Sequence, residues 1–187
     1  MESNSCINVE FWDTAEDSFY FEVVQQDTDF EEDDFRQSKE HHWSIESRNG
    51  FGYLILNQDD TFVVQTCCVS SSEKKLCIRT YRSSSLNNQE KLPVMIYTQK
   101  NDQTMVVCCK EHKIQAVPMM PPTDITGTNH DALFYQTELP GTKRFKFVFS
   151  VDPKKVLGVV KENDLYKLTL LDDVVDVVDT RVAFVVK

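Results

Sequence analysis

The stretch that decides the fold is residues 144–171, RFKFVFSVDPKKVLGVVKENDLYKLTLL. Large apolar residues recur at every second position, as at Phe145, Phe147 and Phe149, and this period of two is typical of a strand with one buried face. Between the apolar runs lie VDPKK and KEND, which are rich in turn-forming residues. The stretch therefore predicts three consecutive β-strands.

The same signal continues through the chain after residue 40. It predicts twelve strands, at 42–47, 52–56, 61–67, 75–81, 92–98, 104–109, 113–117, 131–136, 144–150, 156–160, 165–171 and 181–186. No segment there keeps a helical apolar period for three turns. We therefore expect at most single helical turns near 82–91, 119–130 and 172–180.

The first, fifth and ninth predicted strands begin about 50 residues apart, with four strands in each unit. Three such units indicate an all-β fold of the β-trefoil type, a short barrel capped by three hairpins. A β-sandwich and an eight-stranded barrel are the alternatives. In the trefoil interpretation ten side chains point inward: Leu54, Val63, Ile78, Ile96, Val107, Phe134, Phe147, Val159, Leu168 and Phe184.

Charge divides the chain near residue 34. Residues 1–34 contain twelve acidic residues and no Lys or Arg, whereas residues 35–187 contain all 20 basic residues and the other 18 of the 30 acids. The net charge of −10 therefore comes entirely from the N-terminal segment. Such asymmetry is typical of an interaction tail or a removable segment. We interpret residues 1–34 as an acidic pro-segment and residues 35–187 as the trefoil domain.

The pro-segment has a strand-like pattern of its own, because Phe19, Phe21 and Val23 alternate with their neighbours. A disordered tail, the alternative, does not need so many large apolar residues. We expect this segment to pair or pack.

The opening residues, MESNSCINVEF, lack the basic and apolar regions of a signal peptide. We therefore expect synthesis in the cytoplasm, with any extracellular role following an unconventional exit, and no membrane insertion. Six cysteines in such a chain predict free thiols rather than a disulfide framework. After release, we expect oxidation of whichever thiols are exposed among Cys67, Cys68, Cys77, Cys108 and Cys109.

Candidate sites for chemistry are weak. His41 and His42 are adjacent and point to opposite sides of a strand, and the pairs Cys67–Cys68 and Cys108–Cys109 meet the same geometric objection to binding one metal ion. There is no CxxC, GxSxG or glycine-rich phosphate loop, and the best basic run, TKRFK, is short for nucleic-acid binding. The sequence favours a binding protein without cofactor or catalytic residues.

Residues 119–141, MMPPTDITGTNHDALFYQTELPG, resemble the interleukin-1 family of cytokines, as do KFVFS, KENDLYKLTLL and RVAFVV further on. The shared pattern is an NPPD-like segment before a loop, then an aspartate, four apolar or aromatic residues, a glutamine and PG. At the other end, SCINVEFWDTAEDSFYFEV is similar to a family pro-segment with a CIN motif. EEDDF, at 31–35, falls where that pro-segment has its inflammatory-caspase site.

The resemblance implies a β-trefoil made as an inactive cytoplasmic precursor, cleaved by an inflammatory caspase and secreted by a non-classical route. The monomer is then expected to bind a primary and an accessory receptor with immunoglobulin-like ectodomains, with a soluble binding protein as a further partner. It also implies cleavage between Asp34 and Phe35, with Asp33 as the alternative aspartate. The strand-like segment of the precursor would mask the receptor face.

The resemblance assigns receptor contacts to four residues. Lys113 and Asp131 fall where the family contacts the accessory receptor, and Asp164 falls at a position used toward the primary receptor. Lys91, before a strand, is a further receptor contact. There are departures: Ser47 beside Arg48 stands where an arginine is expected, and Thr137 replaces another basic contact.

Two rival functions fit a trefoil. One is a carbohydrate-binding protein of the heparin or lectin type, although the QxW repeat of ricin-type lectins is absent and residues 35–187 carry a net charge of only about +2. The other is a protease-inhibitory trefoil.

Overall fold

The computed structural model describes residues 9–15, 18–23, 35–49, 52–66, 75–83, 91–127, 129–173 and 179–187, the first two ranges by their backbone. The chain divides into two compact units, residues 1–31 and 32–187. The predicted cleavage-site residues Asp33 and Asp34 lie outside the described residues, as do Cys6, Cys67 and Cys68. None of the described helical segments is long and apolar enough to cross a membrane.

The N-terminal unit contains a β-hairpin. β1 (Val9–Ala15) pairs antiparallel with β2 (Ser18–Val23), and the register shifts between Phe11 and Asp13. β2 contains Phe19, Phe21 and Val23, whose alternation predicts a strand.

The larger unit contains a 14-stranded sheet. Its strands are β3 (Phe35–Trp43), β4 (Ile45–Ser47), β5 (Gly52–Leu56), β6 (Phe62–Gln65), β7 (Leu76–Ser83), β8 (Leu92–Lys100), β9 (Gln103–Lys110), β10 (Lys113–Pro118), β11 (Asp124–Ile125), β12 (Phe134–Leu139), β13 (Arg144–Phe149), β14 (Lys155–Glu162), β15 (Leu165–Asp172) and β16 (Phe184–Val186).

Six strand positions close into a barrel. β3 and β4 follow each other across Ser44 and together form the first position, because β3 pairs with β7 and β4 pairs with β16. The ring then runs through the pairs β7–β8, β8–β12, β12–β13 and β13–β16. Ser44 and Lys187 exchange two backbone hydrogen bonds, of 2.8 and 3.0 Å, which carry the pairing across the break between β3 and β4.

Three antiparallel hairpins, β5–β6, β9–β10 and β14–β15, complete the trefoil. Apart from the two-residue β11, the six barrel positions and six hairpin strands account for the twelve predicted strands. The all-β trefoil prediction is thus confirmed.

Two-residue turns close three of the strand pairs: Asn101–Asp102, Glu111–His112 and Asn163–Asp164. All six residues have positive φ, between 49° and 62° in the first two turns and 50° and 64° in the third. Turns of this kind match the twist of the flanking strands, and Asn and Asp tolerate the left-handed conformation. The turn chemistry of QKND and KEND therefore sets the register of these hairpins.

The barrel interior forms one apolar cluster, called here the inner cluster. It contains nine of the ten side chains predicted to point inward, from Leu54 to Phe184, and only Val63 lies outside it. Val63 is buried, but its neighbours Phe62 and Val64 supply the inner cluster instead, so the predicted register of β6 is wrong by one residue.

A second apolar cluster, called here the outer cluster, lies on the other face of β7, β8 and β9. In β7, Leu76 and Ile78 belong to the inner cluster, whereas Cys77 and Tyr81 belong to the outer one. The outer cluster also contains Phe35, Met95, Tyr97, Val106, Cys108, Ile125, Ala132 and Leu133. These strands are therefore buried on both faces, which alternation alone does not indicate.

Three predicted strand boundaries need correction. The first strand begins at Phe35 rather than at 42, because β3 pairs along its length with β7. The strand predicted at 131–136 begins at Phe134, after a turn in which Leu133 N donates to His130 O at 2.9 Å. The last strand is shortened to 184–186, because a turn of 3-10 helix, Thr180–Val182, precedes it. The Asp179 carboxylate caps the N-terminus of this helix by accepting a hydrogen bond from Arg181 N.

Candidate functional surfaces and a polar cluster

Lys113 and Asp131 lie near the same end of the β9–β10 hairpin. Lys113 is exposed and pairs with Lys110 across the hairpin, one residue after the Glu111–His112 turn. Asp131 is also exposed, and its main-chain oxygen accepts a 2.7 Å hydrogen bond from Cys109 N, next to Lys110. The fold thus places two basic residues, Lys110 and Lys113, and two acidic ones, Glu111 and Asp131, near the same end of the hairpin.

Asp164 lies on a different hairpin. It is the second residue of the β14–β15 turn, and its side chain is 98% exposed. Its carboxylate lies 3.5 Å from Nζ of Lys161, which is exposed as well, and such an ion pair contributes little to stability. The carboxylate is therefore available to a partner at little cost to the fold.

The other predicted contacts are more dispersed. Lys91 is exposed, just before the start of β8. Ser47 is fully buried, and its hydroxyl donates to Asn49 O at 2.8 Å, so it presents nothing at the surface. Thr137 is half-buried in β12. Arg48 is exposed and takes the surface position beside Ser47.

The predicted cleavage site has only its second residue within the described structure. Phe35 is 3% exposed, belongs to the outer cluster and packs edge-on against Tyr135 with ring centroids 6.4 Å apart. Its backbone pairs with Ile125 on one side and Ser83 on the other. A protease that binds residue 35 in an extended groove would first have to release this short strand end.

A basic cleft lies at the barrel end formed by β4, β16 and the turn before β13. Arg48, Lys143, Arg144 and Lys187 line it, together with the single acid Glu46. Lys187 Nζ donates to Glu46 at 2.9 Å, and the part of the chain that the structure describes shows no ion pair for the other three basic side chains. The sequence singled out TKRFK as a short basic run, but the contributions of Arg48 and Lys187 come only from the fold.

A polar cluster on β3, β7 and β8 is the second feature that sequence spacing did not indicate. Arg79 donates to Glu40 Oε2 from Nη2 at 2.8 Å and from Nε at 3.3 Å, and also to Pro121 O at 2.6 Å. Hydrogen bonds from Tyr97 and Arg79 lower the pKa of Glu40. Beside them, Cys77 Sγ lies 3.1 Å from His42 Nδ1.

His41 and His42 do point to opposite sides of β3. His41 stacks on Trp43, with ring centroids 4.3 Å apart, and Trp43 packs against the inner cluster. His42 instead faces Cys77 of the outer cluster.

Three described cysteines, Cys77, Cys108 and Cys109, are free and buried. Burial raises the pKa of all three thiols, and that of Cys108 to about 11. Since the thiolate is the reactive form, these three thiols are shielded from oxidation. The expectation of oxidation at exposed thiols therefore does not apply to them, and Cys67 and Cys68 lie outside the described residues.

Comparison with known proteins gives a consistent result. No family model matches the chain. Interleukin-18 of Mus musculus is 25% identical over 177 residues, covering 91% of this chain and 88% of the relative, and interleukin-18 of Sus scrofa is 27% identical over 173 residues, covering 89% and 87%. A Gallus interleukin-1 mutant matches with a TM-score of 0.62 at 16% identity, covering 82% of this chain and 99% of that one.

The structural match establishes the β-trefoil fold, and the sequence matches extend over nearly the whole chain. Both agree with the motif pattern in residues 119–141 and with the twelve-strand barrel and hairpins. The relatives are cytokines rather than enzymes, and cytokines act by binding receptors. The chain is therefore similar to interleukin-18 over nearly its whole length, and it shares the β-trefoil fold of interleukin-1.

Proposed function

We propose that this chain is the precursor of an interleukin-18-like pro-inflammatory cytokine, activated when an inflammatory caspase removes residues 1–34. The observation that carries the proposal is the extent of the sequence match. It leaves 9% of this chain, or about 17 residues, outside the alignment with the mouse relative. At least half of the acidic 34-residue segment therefore falls within the aligned span, as expected for a shared precursor.

Cleavage would change the net charge of the protein from −10 to about +2. Removing residues 1–34 deletes twelve acidic residues and the hairpin β1–β2, and leaves a domain with a net charge near +2. In this proposal the precursor stays in the cytoplasm with its receptor face masked, and the mature domain is secreted by a non-classical route.

The site of cleavage is testable by mass spectrometry of the caspase-treated precursor. We expect a fragment that begins at Phe35, and Asp34→Ala should block the cut or redirect it to Asp33. Asp29→Ala is a matched control, because it removes an acid of the same segment outside EEDDF. If the wild-type and Asp29→Ala precursors both gave a fragment that starts at a residue other than Phe35, the assignment would be refuted. Equal receptor affinity of 1–187 and 35–187 would refute the masking role.

The receptors in this proposal are an interleukin-18-type primary receptor and an accessory receptor, both with immunoglobulin-like ectodomains. Lys113 and Asp131, at one end of the β9–β10 hairpin, would contact the accessory receptor. Asp164, on the β14–β15 turn, would contact the primary receptor, and Lys91 is a further contact. The exposure of Lys113 and Asp164 on separate hairpins supports two distinct binding surfaces. A soluble binding protein would compete for the primary surface.

Asp164→Lys is the sharpest test of the primary surface. Removing one partner of a desolvated charge pair weakens the binding free energy by about 2–5 kcal/mol, whereas removing a charge at the rim of the interface changes mainly the association rate. Asp102→Lys is a closely matched control, since Asp102 is also exposed and also the second residue of a two-residue turn, with φ of 61° against 64°. Unchanged binding by Asp164→Lys at low and physiological salt would contradict the assignment.

A sulfated-carbohydrate-binding trefoil is the second candidate function, and the basic cleft is the observation that favours it. Replacing Lys143 and Arg144 by Ala removes two of its charges, whereas Lys161→Ala removes an exposed charge elsewhere. On a heparin column, if glycan binding were the main function, the Lys143/Arg144 double variant would elute at a much lower salt concentration than the wild type. The Lys161→Ala variant would elute like the wild type. Equal elution of all proteins at low salt would exclude it.

A further inference from the structure

We propose that Glu40, His42 and Cys77 form a binding site for a single Zn²⁺ ion on the outer face of β3 and β7. One ligand atom from each residue lies within 4.8 Å of the others. The inference does not rest on the cytokine function, since it uses only the geometry of the polar cluster.

Strand register creates the site. His42 and Cys77 are direct partners across the β3–β7 ladder, and Glu40 is opposite Arg79 two residues along. Residues two apart in a strand point to the same face, so Glu40 joins His42 and Cys77 on one side of the sheet. Glu40 and His42 are exposed while Cys77 is buried, and the site is therefore open to solvent on one side.

The distances fit a metal ion after a small adjustment. In a tetrahedral zinc site, Zn–S of about 2.3 Å and Zn–N of about 2.0 Å place the sulfur and nitrogen roughly 3.5 Å apart. Cys77 Sγ and His42 Nδ1 are 3.1 Å apart, so they need to separate by only a few tenths of an ångström. A Glu40 carboxylate oxygen lies within 4.8 Å of both atoms, and it would complete the third side by moving toward them while its other lone pairs keep the bonds from Arg79 and Tyr97.

The donor set selects the metal. A thiolate sulfur and an imidazole nitrogen disfavour Ca²⁺ and Mg²⁺, which bind oxygen ligands, and favour Zn²⁺. Three protein ligands leave a fourth position for water. Binding would release the thiol proton to solvent, because the thiolate is the ligand.

The groups around these ligands form a supporting shell. Arg79 and Tyr97 hydrogen-bond to Glu40, and Arg79 is itself fixed by Pro121 O. A carboxylate can accept about four hydrogen bonds, so the Arg79 and Tyr97 bonds leave capacity for a metal. The positive charge of Arg79 is offset, because the thiolate and the Glu40 carboxylate together supply two negative charges.

The test is titration of metal-free, reduced full-length protein with Co²⁺, followed by displacement with Zn²⁺. We expect a thiolate-to-cobalt charge-transfer absorption that saturates at one equivalent for this site and disappears when Zn²⁺ is added. Cys77→Ser should abolish it, and His42→Ala should weaken binding by about 100-fold. Tyr97→Phe should weaken it by roughly 10-fold or more through the supporting shell.

Cys108→Ser is the matched control, since Cys108 is another buried thiol of the outer cluster and lies outside the cluster of ligands. It should keep the full signal. His42→Ala alters an exposed side chain and should remain folded by circular dichroism, so its result stands even if Cys77→Ser unfolds. Equal cobalt spectra and affinities for wild type and His42→Ala would overturn the proposal. So would a charge-transfer signal that survives Cys77→Ser unchanged, because the cobalt would then be bound by other thiols.

Discussion

The inner and outer clusters lie on opposite faces of the same strands but are built from different side chains. The inner cluster is almost entirely aliphatic residues and phenylalanine, which need no polar partner. The outer cluster contains Tyr81, Tyr97, Met95, Cys77 and Cys108, and several of its polar atoms have specific hydrogen-bond partners, such as Pro122 O for the Tyr81 hydroxyl. The stability of the inner cluster therefore depends mainly on how well its side chains pack. The stability of the outer cluster depends on packing and also on hydrogen bonds to the loop that contains Pro122.

The largest effect is expected from truncating the centre of the inner cluster. Phe147 is 1% exposed, and its ring lies 5.7 Å from that of Phe184. Phe147→Ala should lower the free energy of unfolding by about 3–5 kcal/mol, through lost burial and the cavity that remains. Chemical denaturation measures this. Phe145→Ala, two residues away and only half-buried, is the control and should cost less. A loss below about 1 kcal/mol for Phe147→Ala would contradict its central position.

A smaller effect is expected in the outer cluster from removing one oxygen atom. Tyr81 is 1% exposed, and its hydroxyl donates to Pro122 O at 2.8 Å. Burial raises its pKa to about 12, consistent with a neutral donor. Tyr81→Phe leaves the Pro122 carbonyl without this donor and should cost about 1–3 kcal/mol in the free energy of unfolding.

Tyr166→Phe is the comparison for that measurement, since Tyr166 is half-buried at the edge of the inner cluster. Its hydroxyl should contribute little, so denaturation curves of this variant should overlay those of wild type. Equal stabilities of the Tyr81→Phe and Tyr166→Phe variants would show that the outer cluster does not depend on its hydrogen bonds.

The two clusters also differ in how far the sequence predicts them. Nine of the ten side chains that alternation predicted to point inward belong to the inner cluster, because a period of two identifies residues that share one face of a strand. Predicting the outer cluster would require knowing that the loop with Ile125 and Leu133 folds back over the sheet. No local sequence pattern encodes that contact.

The polar cluster was missed for a related reason. Spacing rules consider residues that are near in sequence, and they correctly separated His41 from His42. Glu40 and Cys77 come from strands 37 residues apart, and only the β3–β7 register brings them together. The basic cleft is similar, since Arg48 and Lys187 are distant in sequence and meet at the ends of β4 and β16. The receptor assignments at Lys91, Lys113, Asp131 and Asp164 remain predictions.

The smallest effect concerns pH and the edge of the outer cluster. His130 Nδ1 accepts a 3.1 Å hydrogen bond from Ala132 N, and its main-chain oxygen accepts bonds from Leu133 N and the Ser150 hydroxyl. Burial lowers the pKa of His130 below its ordinary value of 6.5, although the neighbouring Asp131 opposes the shift. Protonation at Nδ1 would remove the acceptor that holds the start of the buried segment Ala132–Phe134.

Because the folded-state pKa of His130 is depressed, the unfolded chain binds the proton first as pH falls. The contribution of neutral His130 to stability is therefore complete above about pH 6.5 and is lost as pH falls through that value toward the folded pKa. His130→Asn keeps a side-chain acceptor two residues before Ala132 but cannot titrate. We expect its loss of stability between pH 7 and pH 5.5, measured by urea denaturation, to be shallower than that of wild type. His112→Asn, at an exposed turn, should retain the wild-type slope, and identical slopes for all three proteins would show that His130 does not couple the outer cluster to pH.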